Sequence, residues 1–100
     1  MQISRLTFRT VPGHTHLVEE ALQQLAAMVS RASGARTRIL RTHYASPGAP
    51  DVVFEQEADD LAALESQIRQ VAESDEFQRW SKDMSTHLSE SPKRELYIVI

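Results

Sequence analysis

The sequence predicts an α+β domain, because strand-like and helical patterns follow one another along it in a defined order. Short runs of period-2 hydrophobicity alternate with longer runs of period 3.6, and turn residues separate them. The runs are Gln2–Thr10 (strand), Thr15–Ala32 (helix), Arg36–Ala45 and Asp51–Glu57 (strands), Asp59–Val71 and Asp75–Leu88 (helices), and Glu95–Ile100 (strand). With the two linked helices counted as one split region, the order is β-α-β-β-α-β. This is the arrangement of ferredoxin-like domains with a four-stranded antiparallel sheet.

Turn and capping residues mark the boundaries in the first half of the chain. Val11-Pro12-Gly13 ends the first strand, and Thr15 is a suitable N-cap for the first helix. Gly34 follows that helix near its C′ position, where the left-handed conformation is favoured. The segment Ser46–Pro50 is rich in turn residues, so we expect a hairpin loop between the second and third strands.

The second half contains two helices in succession and then the closing strand. Asp59 or Asp60 can cap the first of these helices and Ser74 the next. Each helix is apolar on one side only, so each is expected to lie on the sheet. The apolar stripe of the third helix consists of Phe77, Trp80, Met84 and Leu88.

Alternation along the strands assigns side chains to two faces of the sheet. The apolar set, which we expect to meet the helices, is Leu6, Phe8, Leu40, Tyr44, Val52, Phe54, Leu96, Ile98 and Ile100. The open face would then carry Arg5, Arg9, Arg41, His43, Glu55, Glu57, Glu95 and Tyr97. The closing strand is apolar and unsuited to exposure, so we expect a homodimer formed through sheet faces or edges.

Length and composition exclude several classes of protein. One hundred residues with a net charge of −3 predict a single domain, residues 1–100, without a nucleic-acid partner. The absence of cysteine excludes disulfides, thiolate nucleophiles and zinc–thiolate sites. The first strand begins at residue 2 and no apolar run could span a membrane. We therefore expect a soluble cytoplasmic protein with no membrane association.

The order of elements resembles the dimeric α/β-barrel superfamily over nearly the whole chain. The most similar stretch is Ala72-Glu73-Ser74-Asp75-Glu76-Phe77-Gln78-Arg79-Trp80, a serine–acid–aromatic–x–x–aromatic helix start, and the split helical region matches as well. That superfamily includes antibiotic-biosynthesis monooxygenase domains, stress-responsive A/B-barrel proteins and NIPSNAP-like proteins. The resemblance implies that two subunits pack sheet to sheet around a cavity that holds a small hydrophobic or anionic ligand. It also implies possible cofactor-free monooxygenase or isomerase chemistry on an aromatic or polyketide-like substrate.

Candidate site residues follow from the faces and from this resemblance. His43, Tyr97 and His87 are the candidate catalytic groups, with His43 or Tyr97 transferring a proton. The candidate ligand-binding residues are Trp80, Phe77 and Met84 on the third helix and Arg41, Arg5 and Arg9 on the open face. His87 follows Trp80 by seven residues, which would place both on one helix face. We expect no metal and no cofactor. The haem-degrading branch of the superfamily uses an Asn, a Trp and a His, and this chain contains no asparagine.

Each candidate also has a structural interpretation. Trp80 could be a core residue, and His87 a residue of the helix end. The arginines of the open face could bind an anion, or they could neutralise Glu55 and Glu57 in a structural network. His14 and His16 form an H-x-H pair at a turn, where solvated residues are more common than a chelate. The alternatives to an enzyme are thus a non-catalytic dimeric barrel with a self-filled lumen and a protein-interaction module.

Overall fold

The computed structural model describes all 100 residues, and the predicted order of elements is confirmed. The strands are β1 (Gln2–Phe8), β2 (Thr37–Arg41), β3 (Val52–Ala58) and β4 (Lys93–Ile98), and the helices are α1 (Thr15–Ser33), α2 (Leu61–Ala72) and α3 (Asp75–Ser85). The strands form one antiparallel sheet in the order β2-β3-β1-β4, as the ferredoxin-like arrangement requires. No helix is long and apolar enough to cross a membrane.

The core lies between the helices and one face of the sheet. Phe8 on β1 and Val52 and Phe54 on β3 are almost fully buried, and they meet Leu22 and Val29 on α1. These residues share a face because β1 and β3 pair with Leu6 opposite Phe54 and Phe8 opposite Val52. The predicted faces of β1 and β3 are therefore confirmed.

Caps fix the helix ends at several of the predicted residues. Asp60 accepts a hydrogen bond from the Ala63 N–H at 2.8 Å, and Ser74 accepts one from Phe77 at 3.1 Å. Gly34 ends α1 with φ +69°, in the left-handed region that glycine tolerates best. His14, rather than Thr15, occupies the N-cap position of α1, and its side chain makes no capping bond.

The predicted faces of β2 are wrong by one residue. Ile39 pairs with Phe54 and packs against the core, whereas Leu40 pairs with Val53 on the open face. Arg41 pairs with Val52 and therefore lies on the helix side. The prediction extended β2 to Ala45 and used Tyr44 to set the alternation, but the strand ends at Arg41, and Tyr44 is 91% exposed.

The helices lie over β1, β2 and β3 and leave β4 uncovered. Leu96 and Ile98 lie on the helix side, opposite Ser4 and Gln2, as alternation predicts. The expectation that they meet the helices is wrong, because all six residues of β4 are exposed, Ile98 to 67%. The edge of the sheet thus presents an apolar surface that the chain itself does not bury.

Candidate functional site

An apolar cavity of about 150 Å³, partly open to solvent, lies between the helices and the sheet. Ten of its fourteen lining residues are hydrophobic, with Leu6 and Phe54 forming its floor and Phe77 and Trp80 one wall. Its volume matches that of an engineered cavity which admits a benzene molecule. The cavity is therefore large enough for a single aromatic ring.

Trp80 and Phe77 pack against each other, and Trp80 is also hydrogen-bonded to α1. Their rings are stacked, with centroids 5.5 Å apart. The Trp80 indole N–H donates to the Ala21 carbonyl of α1 at 2.7 Å, which joins α3 to α1. The indole thus offers a ligand its ring face, while its only donor is already occupied.

Arg94 is the only titratable residue that lines the cavity. It lies on β4 opposite Leu6, and its Nη1 donates to the Ser4 hydroxyl at 2.6 Å. No carboxylate forms an ion pair with it. Loss of hydration beside the apolar wall lowers the pKa of Arg94 below its ordinary value. A cation without a counter-charge next to an apolar cavity is suited to an anionic or oxyanion group on a ligand.

Sequence reasoning missed Arg94 because the predicted closing strand began at Glu95. The strand begins at Lys93, so Arg94, Leu96 and Ile98 alternate along one face. Extending the alternation of Leu96 and Ile98 back by two residues would have placed Arg94 on the same face of the strand.

The open face of the sheet has a different character, because its charges neutralise one another. Glu55 is only 2% exposed, and each of its carboxylate oxygens accepts hydrogen bonds from one arginine. Arg5 Nη2 donates to Oε2 at 2.6 Å, and Arg38 Nε donates to Oε1 at 3.1 Å. Burial opposes ionisation of this carboxyl. The hydrogen bonds and charges of the two arginines outweigh it and hold the pKa of Glu55 below its ordinary value.

The network continues to Tyr97 on β4, whose ring lies 5.0 Å from the Arg5 guanidinium carbon. The Glu95 carboxylate, acting as hydrogen-bond acceptor, raises the pKa of Tyr97 above its ordinary value. The phenol therefore keeps its proton at neutral pH, which is unfavourable for a general base. Arg38, which the prediction did not include, supplies the hydrogen-bond partner of the second carboxylate oxygen of Glu55.

Arg9 belongs to a polar depression of about 290 Å³ on the same face, which Arg5 also lines. Arg9 Nε lies 3.2 Å from the Glu90 carboxylate, and Nη2 donates to the Gly48 carbonyl. Carboxylates within the depression thus offset its positive charge, which supports the structural interpretation of these arginines.

The remaining predicted site residues lie apart from the cavity. His43 follows the end of β2, where it is exposed and contacts Tyr44 at a ring separation of 4.6 Å. Arg41 forms an ion pair with Glu19 of α1, with Nη2 2.7 Å from Oε1, instead of lying on the open face. Met84 is 3% exposed within the core and does not line the cavity.

His87 does not share a helix face with Trp80, because α3 ends at Ser85. The His87 ring instead meets His14, with the two Nδ1 atoms 3.1 Å apart. His16 points to Glu20, with Nε2 3.0 Å from its carboxylate. No group of three or more His, Asp or Glu side chains is arranged to hold a metal ion.

Comparison with solved structures supports the predicted superfamily at the level of the fold. An uncharacterised NIPSNAP domain protein from Burkholderia xenovorans matches with a TM-score of 0.80 and 17% identity, over 100% of this chain and 95% of that one. A putative antibiotic biosynthesis monooxygenase from Nitrosomonas europaea matches with a TM-score of 0.72 and 16% identity, over 100% and 99%. No protein-family model and no curated protein matches the chain.

One further solved structure carries an assigned activity. It is a variant of SnoaB, a cofactor-independent oxygenase from Streptomyces nogalater, with a TM-score of 0.69 and 17% identity, over 98% of this chain and 92% of that one. The chain therefore has the fold of the antibiotic-biosynthesis monooxygenase-like and NIPSNAP proteins, as the sequence predicted. At such identities the likeness concerns fold, and activity must be argued from the cavity itself.

Proposed function

We propose that this protein binds a small aromatic anion in the cavity between its helices and its sheet. The observation that carries the proposal is Arg94, an arginine without a carboxylate partner at the edge of an otherwise apolar cavity. The apolar walls would bury a ring, and the guanidinium would pair with a carboxylate or phenolate on it. A volume of about 150 Å³ favours one ring over a multi-ring polyketide.

The intrinsic fluorescence of the protein provides the test, because Trp80 is the only tryptophan. Benzoate and its neutral analogue benzyl alcohol would be titrated while Trp80 emission is followed. We expect Arg94→Met to weaken benzoate binding roughly 10- to 150-fold, the equivalent of about 1.5–3 kcal/mol for a charge-assisted hydrogen bond. Benzyl alcohol binding should be nearly unchanged.

Arg36→Met is a matched control, because Arg36 forms no ion pair and does not line this cavity. It should leave both titrations unchanged. The proposal fails if benzoate leaves Trp80 emission unaltered, or if Arg94→Met affects the charged and neutral ligands equally.

We further propose that the protein is a homodimer. The support is the exposed apolar edge of β4 and the residues that follow it, which comprise Leu96, Ile98, Val99 and Ile100. In sedimentation equilibrium we expect twice the chain mass of 11.3 kDa. Ile98→Glu should produce monomers, and Leu61→Glu, at a 45% exposed position on α2, should not. A wild-type monomer would contradict the dimer and favour the protein-interaction module. The cytoplasmic location remains a prediction, which cell fractionation would test.

Cofactor-free oxygenation is a second candidate function, favoured by Arg94 and by the likeness to the SnoaB fold. Arg94 would stabilise the enolate or phenolate of an acidic substrate. Oxygen would then convert an activated CH₂ group to a carbonyl, and the second oxygen atom would leave as water with the two hydrogens. Because no general base lines the cavity, the substrate must be acidic enough to lose this proton to water before it binds. Isomerisation has less support, because it must also return a proton to a second carbon atom inside the cavity.

An oxygen electrode distinguishes catalysis from binding alone. One-ring substrates with an acidic C–H bond would be incubated with wild-type protein, Arg94→Met and buffer. Oxygen uptake that requires Arg94 would support the oxygenase. Uptake no faster than in buffer, together with benzoate binding, would leave a non-catalytic binding protein.

A further inference from the structure

Two histidines from opposite ends of the chain meet on the surface, away from the cavity. His14 precedes α1, His87 follows α3, and their Nδ1 atoms are 3.1 Å apart. The rings are tilted by 56°, with centroids 5.3 Å apart. Both side chains are half-buried, so the pair is packed against the protein on one side and reachable from solvent on the other.

The backbone on both sides of this pair is fixed by hydrogen bonds. Val11 N–H donates to the His87 carbonyl, and Ser89 N–H donates to the Arg9 carbonyl, both at 2.9 Å. The His14 N–H donates to the Val11 carbonyl at 2.9 Å. The two imidazoles are therefore held together before any ligand arrives, which reduces the entropic cost of binding one.

The separation of the two nitrogens matches neighbouring ligands on a metal ion. Zn–N bonds of 2.0–2.1 Å place two nitrogens about 3.3 Å apart at the tetrahedral angle and about 2.9 Å apart at a right angle. The observed 3.1 Å lies between these values, so the rings need to move little. Each Nδ1 must present its lone pair, and the proton now shared between them can reside on the Nε2 of its ring.

We propose that His14 and His87 form a two-histidine site for a late first-row divalent cation, with water in the remaining positions. Imidazole ligands favour Cu²⁺, Ni²⁺ and Zn²⁺ and do not suit Mg²⁺ or Ca²⁺. Of the three favoured ions, Cu²⁺ binds most tightly. The bound ion connects the end of α3 to the turn before α1, so it stabilises the folded chain.

Isothermal titration with Cu²⁺, Zn²⁺ and Mg²⁺, on protein without a histidine tag, tests the site. We expect one Cu²⁺ per chain, weaker Zn²⁺ binding, no Mg²⁺ heat, and a melting temperature that rises with Cu²⁺ concentration. His14→Gln and His87→Gln should each weaken Cu²⁺ binding more than 10-fold, since even the loss of an outer-shell partner costs about 10- to 100-fold.

His16→Gln is the matched control, because His16 and Glu20 are the competing ligand pair at 3.0 Å. Full Cu²⁺ affinity in this variant supports the proposal, and loss of binding in it assigns the ion to His16 and overturns the proposal. Electron paramagnetic resonance of Cu²⁺ on the wild-type protein gives a result that does not depend on the folding of any variant. Two imidazole nitrogens are expected, and a single nitrogen would overturn the site.

Discussion

Replacing the buried carboxylate of the open face, Glu55→Gln, should destabilise the protein by about 2 kcal/mol at pH 7. A charge-assisted hydrogen bond contributes about 1.5–3 kcal/mol, and breaking a fully buried ion pair costs about 3–5 kcal/mol. The Arg5 and Arg38 side chains are 37% and 62% exposed, so water replaces much of what they lose. We therefore expect a value near the lower end of this range. It corresponds to a fall in Tm of roughly 8–16 °C for a chain of this length.

The difference between wild type and Glu55→Gln should depend on pH in one direction. The folded-state pKa of Glu55 lies below its ordinary value, so its stabilisation is fully present above about pH 4.3. It is lost as the pH falls through the lower folded-state pKa. Urea unfolding at pH 7, 5, 4 and 3, at one protein concentration, should show a constant difference at first and then a shrinking one.

Glu57→Gln is the control for this experiment, because Glu57 lies on the same face of β3 and forms no ion pair. It should cost less than about 0.5 kcal/mol, as surface substitutions usually do. If Glu55→Gln costs no more than Glu57→Gln, or if its cost persists unchanged to pH 3, the reasoning about the arginine network is wrong.

Three further substitutions test local features by chemical denaturation. Trp80→Phe removes the 2.7 Å hydrogen bond to the Ala21 carbonyl but keeps an aromatic ring in the cavity wall. The free energy of unfolding should fall by about 1–3 kcal/mol, and an unchanged value would contradict the role of that bond. Ser74→Ala removes the cap that accepts from Phe77 and should cost about 1 kcal/mol. Gly34→Ala has open space for its methyl group but retains φ +69°, so a cost of about 1–2 kcal/mol would measure backbone strain alone.

The sequence was informative where short-range patterns decide the structure. Alternation and helical spacing predicted the order of elements, and Asp60, Ser74 and Gly34 marked helix ends because capping depends on neighbouring residues. The same reasoning failed on β2. Ile39 and Leu40 are adjacent and both apolar, so alternation alone fits either phase, and only pairing with Phe54 selects one.

Local patterns in the sequence were enough to predict an α+β domain with one apolar side to each helix. Tertiary pairing sets which charged groups neutralise one another and which one lines the apolar cavity, because the partners are distant along the chain. Glu55 lies 50 residues from Arg5, and Arg94 lies 90 residues from Ser4. The pairing of distant strands places the first arginine beside a carboxylate and the second beside an apolar cavity. The candidate site therefore lies on the helix side of the sheet, whereas the sequence had placed several of its residues on the open face.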